Sequence, residues 1–293
     1  MDGTFSTADG TRLHVHRWLP AEPVGHVYLL HGFGEHAGRY RELAEVLNGA
    51  GWALHAVDHR GHGLSGGRRA IVPSPTTVAE DYLEFVNSEP SRDGPLVLLG
   101  HSMGGAAAVQ VALRAPGRFA GLILSSPFLE PGRPPGRLEV AAAGLLSRIA
   151  PAAVVTRLDS DSLSREKTEA EAYDDDPLVH HGGVPARSAH SLLLAGREAT
   201  DRAGELELPL LILHGAHDTV AGVAGSRRLL AAAGSRDRQI IEFEDGLHEL
   251  MNDRERGSVY AAIRDWLGER FGRFSAGGEG GLHAADRFTD DSF

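Results

Sequence analysis

The pentapeptide Gly100-His101-Ser102-Met103-Gly104 constrains this chain more than any other stretch. The apolar run Leu96-Val97-Leu98-Leu99 stands before it, and the alanine-rich, proline-free segment from Gly104 to Ala115 follows it. The spacing predicts a buried strand, a sharp turn and a helix packed close to a sheet. Small residues at 100, 104 and 105 let the turn pass near its neighbours without a Cβ clash. A serine on such a turn is held with its hydroxyl exposed. The helix that starts there aims its free amides and positive dipole end at any charge forming beside that hydroxyl. The pattern is G-x-S-x-G, and in this setting it reads as a nucleophile elbow.

Strand-like and helix-like segments alternate around it, which implies an α/β fold with a mainly parallel central sheet and helices on both faces. Arg12 to Trp18 alternates like an outer antiparallel strand. Val27–Leu30, Trp52–Val57, Leu96–Leu99, Gly121–Leu124, Leu210–Leu213 and Gln239–Phe243 read as buried strands. Apolar residues at helical spacing mark helices around Tyr40–Leu47, Val78–Val86, Val223–Ala233 and Val259–Leu267. The alternation breaks between residues 130 and 207. Pro131, Pro134 and Pro135 open that segment, followed by an apolar helix-like run (140–154), a charged stretch (159–176) and a second helix-like run (185–199). A strandless insertion this long reads as a helical cap or lid rather than a crossover. The expected organisation is a core of residues 1–129 and 208–271, a cap at 130–207, and a loosely attached tail at 272–293.

Composition excludes several classes. The 293 residues carry a net charge of -11, with no basic stripe of the kind that binds nucleic acid. The chain has no cysteine, which removes disulfides, thiolate nucleophiles and Cys-ligated zinc. The polar residues from Met1 to Asp9 lack a signal-peptide core, and no apolar run reaches the roughly 20 residues that span a bilayer. The expectation is a cytoplasmic protein.

A serine hydroxyl needs a base, and the base needs an orienting acid. In this strand order both belong on loops after later strands, acid first. Asp218 follows the run Leu210–Leu213, and His248 follows the last strand. Ser102, Asp218 and His248 are therefore the expected triad. The competing readings are a helix N-cap for Asp218 and a surface histidine for His248. The oxyanion donors are expected to be the backbone N–H groups of Met103 and Phe33, the latter in the glycine-rich loop His31-Gly32-Phe33-Gly34-Glu35-His36. His55, Asp58, His59 and His62 crowd together without metal-site spacing, so no metal and no cofactor is expected. His180-His181 reads as a solvated turn.

Three blocks, His31 to Tyr40, Asp58-His-Arg-Gly-His-Gly63 and Gly100 to Gly105, resemble the monoacylglycerol lipases of the serine α/β-hydrolase superfamily. Asp174-Asp-Asp-Pro-Leu-Val-His-His-Gly182 resembles a segment of their bacterial members, and the likeness runs over about residues 10 to 270. The resemblance implies an α/β-hydrolase fold and hydrolysis of a monoacylglycerol to fatty acid and glycerol. It implies Ser102, Asp218 and His248 as the triad, with the Phe33 and Met103 amides as the oxyanion hole. Gly32, Glu35, His101, Leu145 and Leu146 are expected to contact the lipid ester, and the apolar lid run to line an acyl tunnel and rest transiently on lipid surfaces. Two departures stand out. Val220-Ala221-Gly222 replaces the proline that often follows the acid, so that loop is expected to be more mobile, and Phe33 is larger than usual and is expected to narrow the pocket mouth. Lysophospholipase, thioesterase or broad carboxylesterase activity on the same fold remains an alternative, as does a non-catalytic ligand receptor. Epoxide hydrolases and dehalogenases are disfavoured, because they use Asp where Ser102 stands. The oligomeric state is left open.

Overall fold

The computed structural model describes residues 2–90, 92–133 and 136–272. Pro134, Pro135 and the tail beyond residue 272 lie outside the described residues. Eight strands form one sheet: β1 (Asp2–Ser6), β2 (Arg12–Trp18), β3 (Gly25–Leu30), β4 (Trp52–Val57), β5 (Leu96–His101), β6 (Gly121–Ser125), β9 (Leu210–Gly215) and β10 (Arg238–Phe243). Their order is β1-β2-β4-β3-β5-β6-β9-β10. The pairs β1–β2 and β2–β4 are antiparallel, and the rest are parallel.

The parallel strands are buried on both faces, so they read as unbroken apolar runs. Successive side chains still go to opposite sides. Val27, Leu29, Val97 and Leu99 face one core with α1 (Arg41–Gly49) and α8 (Arg256–Phe271). Tyr28, Leu30 and Leu98 face the other, with α2 (Thr77–Ser88), α3 (Met103–Arg114), α6 (Ala186–Asp201) and α7 (Val223–Ala232). Val259, Ile263, Trp266 and Leu267 are the buried face of α8, with the Arg270 guanidinium over the Trp266 ring at 4.6 Å.

Three elements differ from the reading of the sequence. The polar segment 2–6 forms β1, an edge strand with a single aromatic, Phe5, packed edge-on against Phe85 at 6.1 Å. Strand β10 is only half-buried, because it closes the other edge of the sheet. The segment between β6 and β9 contains α4 (Arg137–Ile149), α5 (Lys167–Asp175) and α6, but it is not strandless: β7 (Val154–Thr156) and β8 (Val184–Pro185) pair as a short antiparallel ribbon. Neither β7 nor β8 has the apolar length that marks a core strand.

Backbone bonds stitch this segment to the sheet side. Pro131 bridges to Ala221, Gly132 N–H donates to the Val220 carbonyl at 3.0 Å, and Gly222 N–H donates to Glu130 at 3.0 Å. Where the proline is missing, the loop after Asp218 is thus bonded to residues 130–132.

Candidate active site

Strand β5 ends at His101, and α3 begins at Met103. Ser102 bridges them at φ 51°, ψ −118°, a left-handed conformation that L-residues rarely adopt. The turn survives because its neighbours are glycines. A Cβ on Gly104 would lie 2.1 Å from the Leu30 carbonyl oxygen, and one on Gly100 would lie 2.4 Å from the Gly104 oxygen. Ser102 itself is held from both sides. Its N–H donates to Ser125 at 3.1 Å, and its carbonyl accepts from Phe128 N–H at 2.9 Å.

The Ser102 hydroxyl donates to His248 Nε2 at 2.9 Å, and His248 Nδ1–H donates to Asp218 Oδ2 at 2.7 Å. All three side chains are buried. The other oxygen of Asp218 accepts from the N–H groups of Val220 and Ala221 at 2.8 and 2.9 Å. Asp218 does not cap α7, whose first turn begins after Gly222. Burial pushes its carboxyl up, but the imidazoles of His248 and His214 outweigh that and hold it well below the ordinary carboxylate range. Burial pushes His248 down, while Asp218, Glu249 and Glu35 push it up, and the net result lies above the usual histidine value.

The loop after β3 is fastened at both ends of Gly32. Its N–H donates to Glu35 Oε1 at 2.6 Å, and its carbonyl accepts from His31 Nδ1–H at 2.7 Å. His31 Nε2 in turn accepts from the His59 N–H at 2.9 Å, which fixes its tautomer. Burial and the neighbouring His59 and His62 keep His31 neutral, well below the usual histidine value. Across a trans peptide the Phe33 N–H points opposite to the Gly32 carbonyl. Met103, the first residue of α3, has an N–H that no helix carbonyl can reach.

Glu35, which the sequence assigned to the substrate, is buried and takes hydrogen bonds from three groups of the protein. It accepts from Gly32 N–H, from Tyr40 Oη–H at 2.7 Å and from Arg39 at 3.0 Å. Arg39 also forms a two-pronged pair with Glu249 at 2.8 and 2.7 Å. Burial raises the Glu35 carboxyl, while the Arg39 charge outweighs burial at Glu249 and lowers it. His101 donates from Nδ1 to the Ser125 carbonyl at 3.1 Å, and burial drops its pKa to about 3, so the ring is neutral.

A cavity of about 720 Å³ opens at Ser102 and His248. Gly32, Phe33, Glu35, His101 and Met103 line it together with Val140, Leu146, Leu192 and Val220. Leu146 thus faces the space the sequence assigned to it. Leu145 does not: it is 61 % exposed and lies on the outer stripe of α4 with Leu138 and Ile149. The helical period explains the correction, since positions 138, 145 and 149 share one face, and adjacent residues point some 100° apart. Phe33 is shared with a smaller side cavity of about 250 Å³ that also touches Arg157, Asp174 and His181.

Other contacts, local and distant, escaped the sequence. His214 Nε2 lies 3.3 Å from Asp218 Oδ2 and 3.0 Å from the Ala221 carbonyl, and its Nδ1 accepts from the Ser226 hydroxyl at 2.8 Å. Two acceptors at Nε2 place the proton there, so a second imidazole steadies the acid. The segment 174–182 clasps the glycine-rich loop: His36 Nε2 pairs with Asp176 at 2.8 Å, and His180 N–H donates to Gly34 at 2.7 Å. The only sequence sign of these pairs was the crowding of His, Asp and Gly at strand ends.

The sequence matches the family described as Hydrolase_4, serine aminopeptidase S33, over residues 21–255. It is 36 % identical over 269 residues to a monoacylglycerol lipase of Mycolicibacterium smegmatis, covering 90 % of this chain and 95 % of that one. It is also 36 % identical to the human monoglyceride lipase, covering 90 % of this chain and 89 % of that one. Its structure resembles the crystal structure of Paleococcus ferrophilus monoacylglycerol lipase with a TM-score of 0.78 at 33 % identity, over 88 % of this chain and 99 % of that one. The strained serine turn, the sheet that carries it and the similarity along nearly the whole length agree, and the chain belongs to the monoacylglycerol lipase family of serine α/β-hydrolases.

Proposed function

We propose that this protein hydrolyses monoacylglycerols to fatty acid and glycerol through an acyl-enzyme on Ser102. The observation that carries the reading is the continuous contact from Ser102 through His248 to Asp218 beside a largely apolar cavity. As Ser102 Oγ attacks the ester carbon, His248 Nε2 takes its proton, and Asp218 favours the imidazolium that forms. The oxyanion is stabilised by the Phe33 and Met103 N–H groups at the loop and the α3 N-terminus. Collapse of the tetrahedral intermediate breaks the ester C–O bond, and the glycerol oxygen leaves with the proton from His248. Water then attacks the acyl-enzyme with the same base, releasing the fatty acid and restoring Ser102.

Several features support this substrate class. The relatives named above are monoacylglycerol lipases. A cavity of about 720 Å³ falls in the range of roughly 300–1,000 Å³ usual for small ligands. Its Val140, Leu146, Leu192 and Leu193 lining suits an acyl chain, while Glu35, Tyr173 and Glu249 offer polar groups for a glycerol end. Residues 130–207 act as the cap in this reading. Its outer stripe, Leu138, Leu145 and Ile149, is 86, 61 and 71 % exposed and rests on lipid surfaces. No described helix is long and apolar enough to cross a membrane.

The decisive experiment is a substrate panel of monoacylglycerols, triacylglycerols, lysophospholipids and short p-nitrophenyl esters, run beside a fluorophosphonate probe. The expected result is preferred monoacylglycerol turnover and probe labelling that Ser102→Ala abolishes. Preference for lysophospholipid or short esters would overturn the substrate, and absence of labelling in the native protein would overturn the enzyme itself.

A further inference from the structure

Away from the catalytic cavity, three donor side chains converge where β1 crosses β2. His14 and His16 are two residues apart on β2, so both rings stand on one face of the sheet. Asp2 on β1 is the register partner of His16. The His16 ring is fixed in plane by Trp18, stacked at 5.4 Å and 6°, and by His14, packed edge-on at 4.5 Å. Its Nε2 faces Asp58 Oδ1 at 3.1 Å. A carboxylate only accepts, so His16 Nε2–H donates to Asp58, and in the neutral ring Nδ1 carries the lone pair. That lone pair faces another acceptor, Asp2 Oδ1, at 3.7 Å. His14 Nε2 is buried, has no hydrogen-bond partner among the described residues, and lies 4.0 Å from Asp2 Oδ2. One ligand atom from each residue falls within 4.8 Å of the others.

We propose that Asp2, His14 and His16 bind a divalent transition-metal ion of the zinc class. Two imidazole nitrogens and one carboxylate oxygen are the donors such ions favour over magnesium or calcium. An ion about 2.0–2.2 Å from each donor draws tetrahedral ligands to about 3.4 Å of one another. Asp2 Oδ1 lies 3.7 Å from the His16 nitrogen and Oδ2 4.0 Å from the His14 nitrogen, distances that a turn of the 67 % exposed Asp2 side chain shortens, while the two ring nitrogens lie within 4.8 Å of each other. Water reaches the remaining position from that open side. The Asp58 contact supplies the outer carboxylate that metal-bound histidines commonly hold through their second nitrogen. Asp58 also accepts from the Ala37 N–H at 2.9 Å and the Leu64 N–H at 2.8 Å, so the histidine is anchored to the chain beside Glu35 and His36. The ion staples the exposed edge strand β1 to the sheet and takes no part in ester cleavage. This departs from the expectation of no metal, which the sequence based on the separate His55–His62 cluster.

The test uses the full chain without a histidine tag, stripped with a chelator and titrated with Zn2+ by calorimetry. One saturable site is expected, with the melting temperature raised by about 4 °C at Zn2+ a hundredfold above its Kd. Both effects vanish in Asp2→Asn and in His14→Gln, while metal-free turnover of an ester stays at the native level in both variants. Co2+ in place of Zn2+ develops a visible ligand-field spectrum that His14→Gln removes. Zn2+ binding with the same stoichiometry in both variants would assign it to other histidines and overturn the proposal. So would the absence of saturable binding, with melting that follows pH alone, which would make the cluster a protonated His–Asp pair.

Discussion

In the proposed mechanism His248 lies between two demands: it must be basic enough to take a proton from Ser102 yet neutral when substrate arrives. Burial alone would lower its pKa, and the carboxylates of Asp218, Glu249 and Glu35 reverse the sign. A base with a raised pKa is lost as pH falls through it. The acid limb of kcat/KM is therefore expected above pH 6.5, and Glu249→Gln should move it to lower pH, as a rate profile would record. Asp218→Asn leaves the hydrogen-bond geometry but favours the wrong tautomer, and is expected to cut kcat about a thousand- to ten-thousand-fold with KM little changed. Steady-state kinetics that found a loss below tenfold would remove Asp218 from the role. The contact of Ser102, His248 and Asp218 was legible because each follows an apolar strand, and strand ends share one rim of the sheet. His214 and the Arg39–Glu249 pair were not. Arg39 and Glu249 stand 210 residues apart, and no local pattern reports which charges meet inside a fold.

Elements built on continuous apolar runs were easily read, because burial on both faces leaves a signal that depends on nothing else. The edge strand β1 and the ribbon of β7 and β8 carry no such signal, since backbone pairing rather than burial defines them. Helix α4 was read as an apolar run with Leu145 and Leu146 both against the substrate, yet its period sends Leu146 inward and Leu145 outward. The most demanding junction is α3 against β3. Gly104→Ala sets a methyl group against the Leu30 carbonyl and is expected to destabilise by about 1–3 kcal/mol, visible as a lower denaturation midpoint. An unchanged midpoint would mean that α3 shifts freely from the sheet.

On the scale of the whole molecule, segment 130–207, the cap in the proposed reading, is joined to the loop after His248 by the Leu163 carbonyl, which accepts from the Glu249 N–H at 2.8 Å, and to the other loops of the site at two further places. One is the Pro131–Ala221 bridge beside the acid loop. The other is the clasp of Asp176 and His180 on the glycine-rich loop. The clasp ties segment 174–182 to the loop that carries the Phe33 N–H, the proposed oxyanion donor. Asp176→Ala removes a contact that is partly open to solvent, so its cost in stability is small, about 1 kcal/mol or less. Its expected effect on kcat is larger, about tenfold, because the loop carrying Phe33 loses its outer support. Kinetics and a thermal melt on the same variant separate the two; a stability loss without a rate loss would make the clasp purely structural.

The torsion angles at Ser102, φ 51° and ψ −118°, have a consequence for durability. Glycine occupies that region freely, whereas a residue with a side chain sits there at a cost of roughly 1–3 kcal/mol. Ser102→Gly should therefore melt at a higher temperature than both the native protein and Ser102→Ala, which keeps the strain and loses only the hydroxyl. The reactive centre is a fault line that the rest of the scaffold holds shut, and a catalytically dead version of this enzyme should outlast the living one.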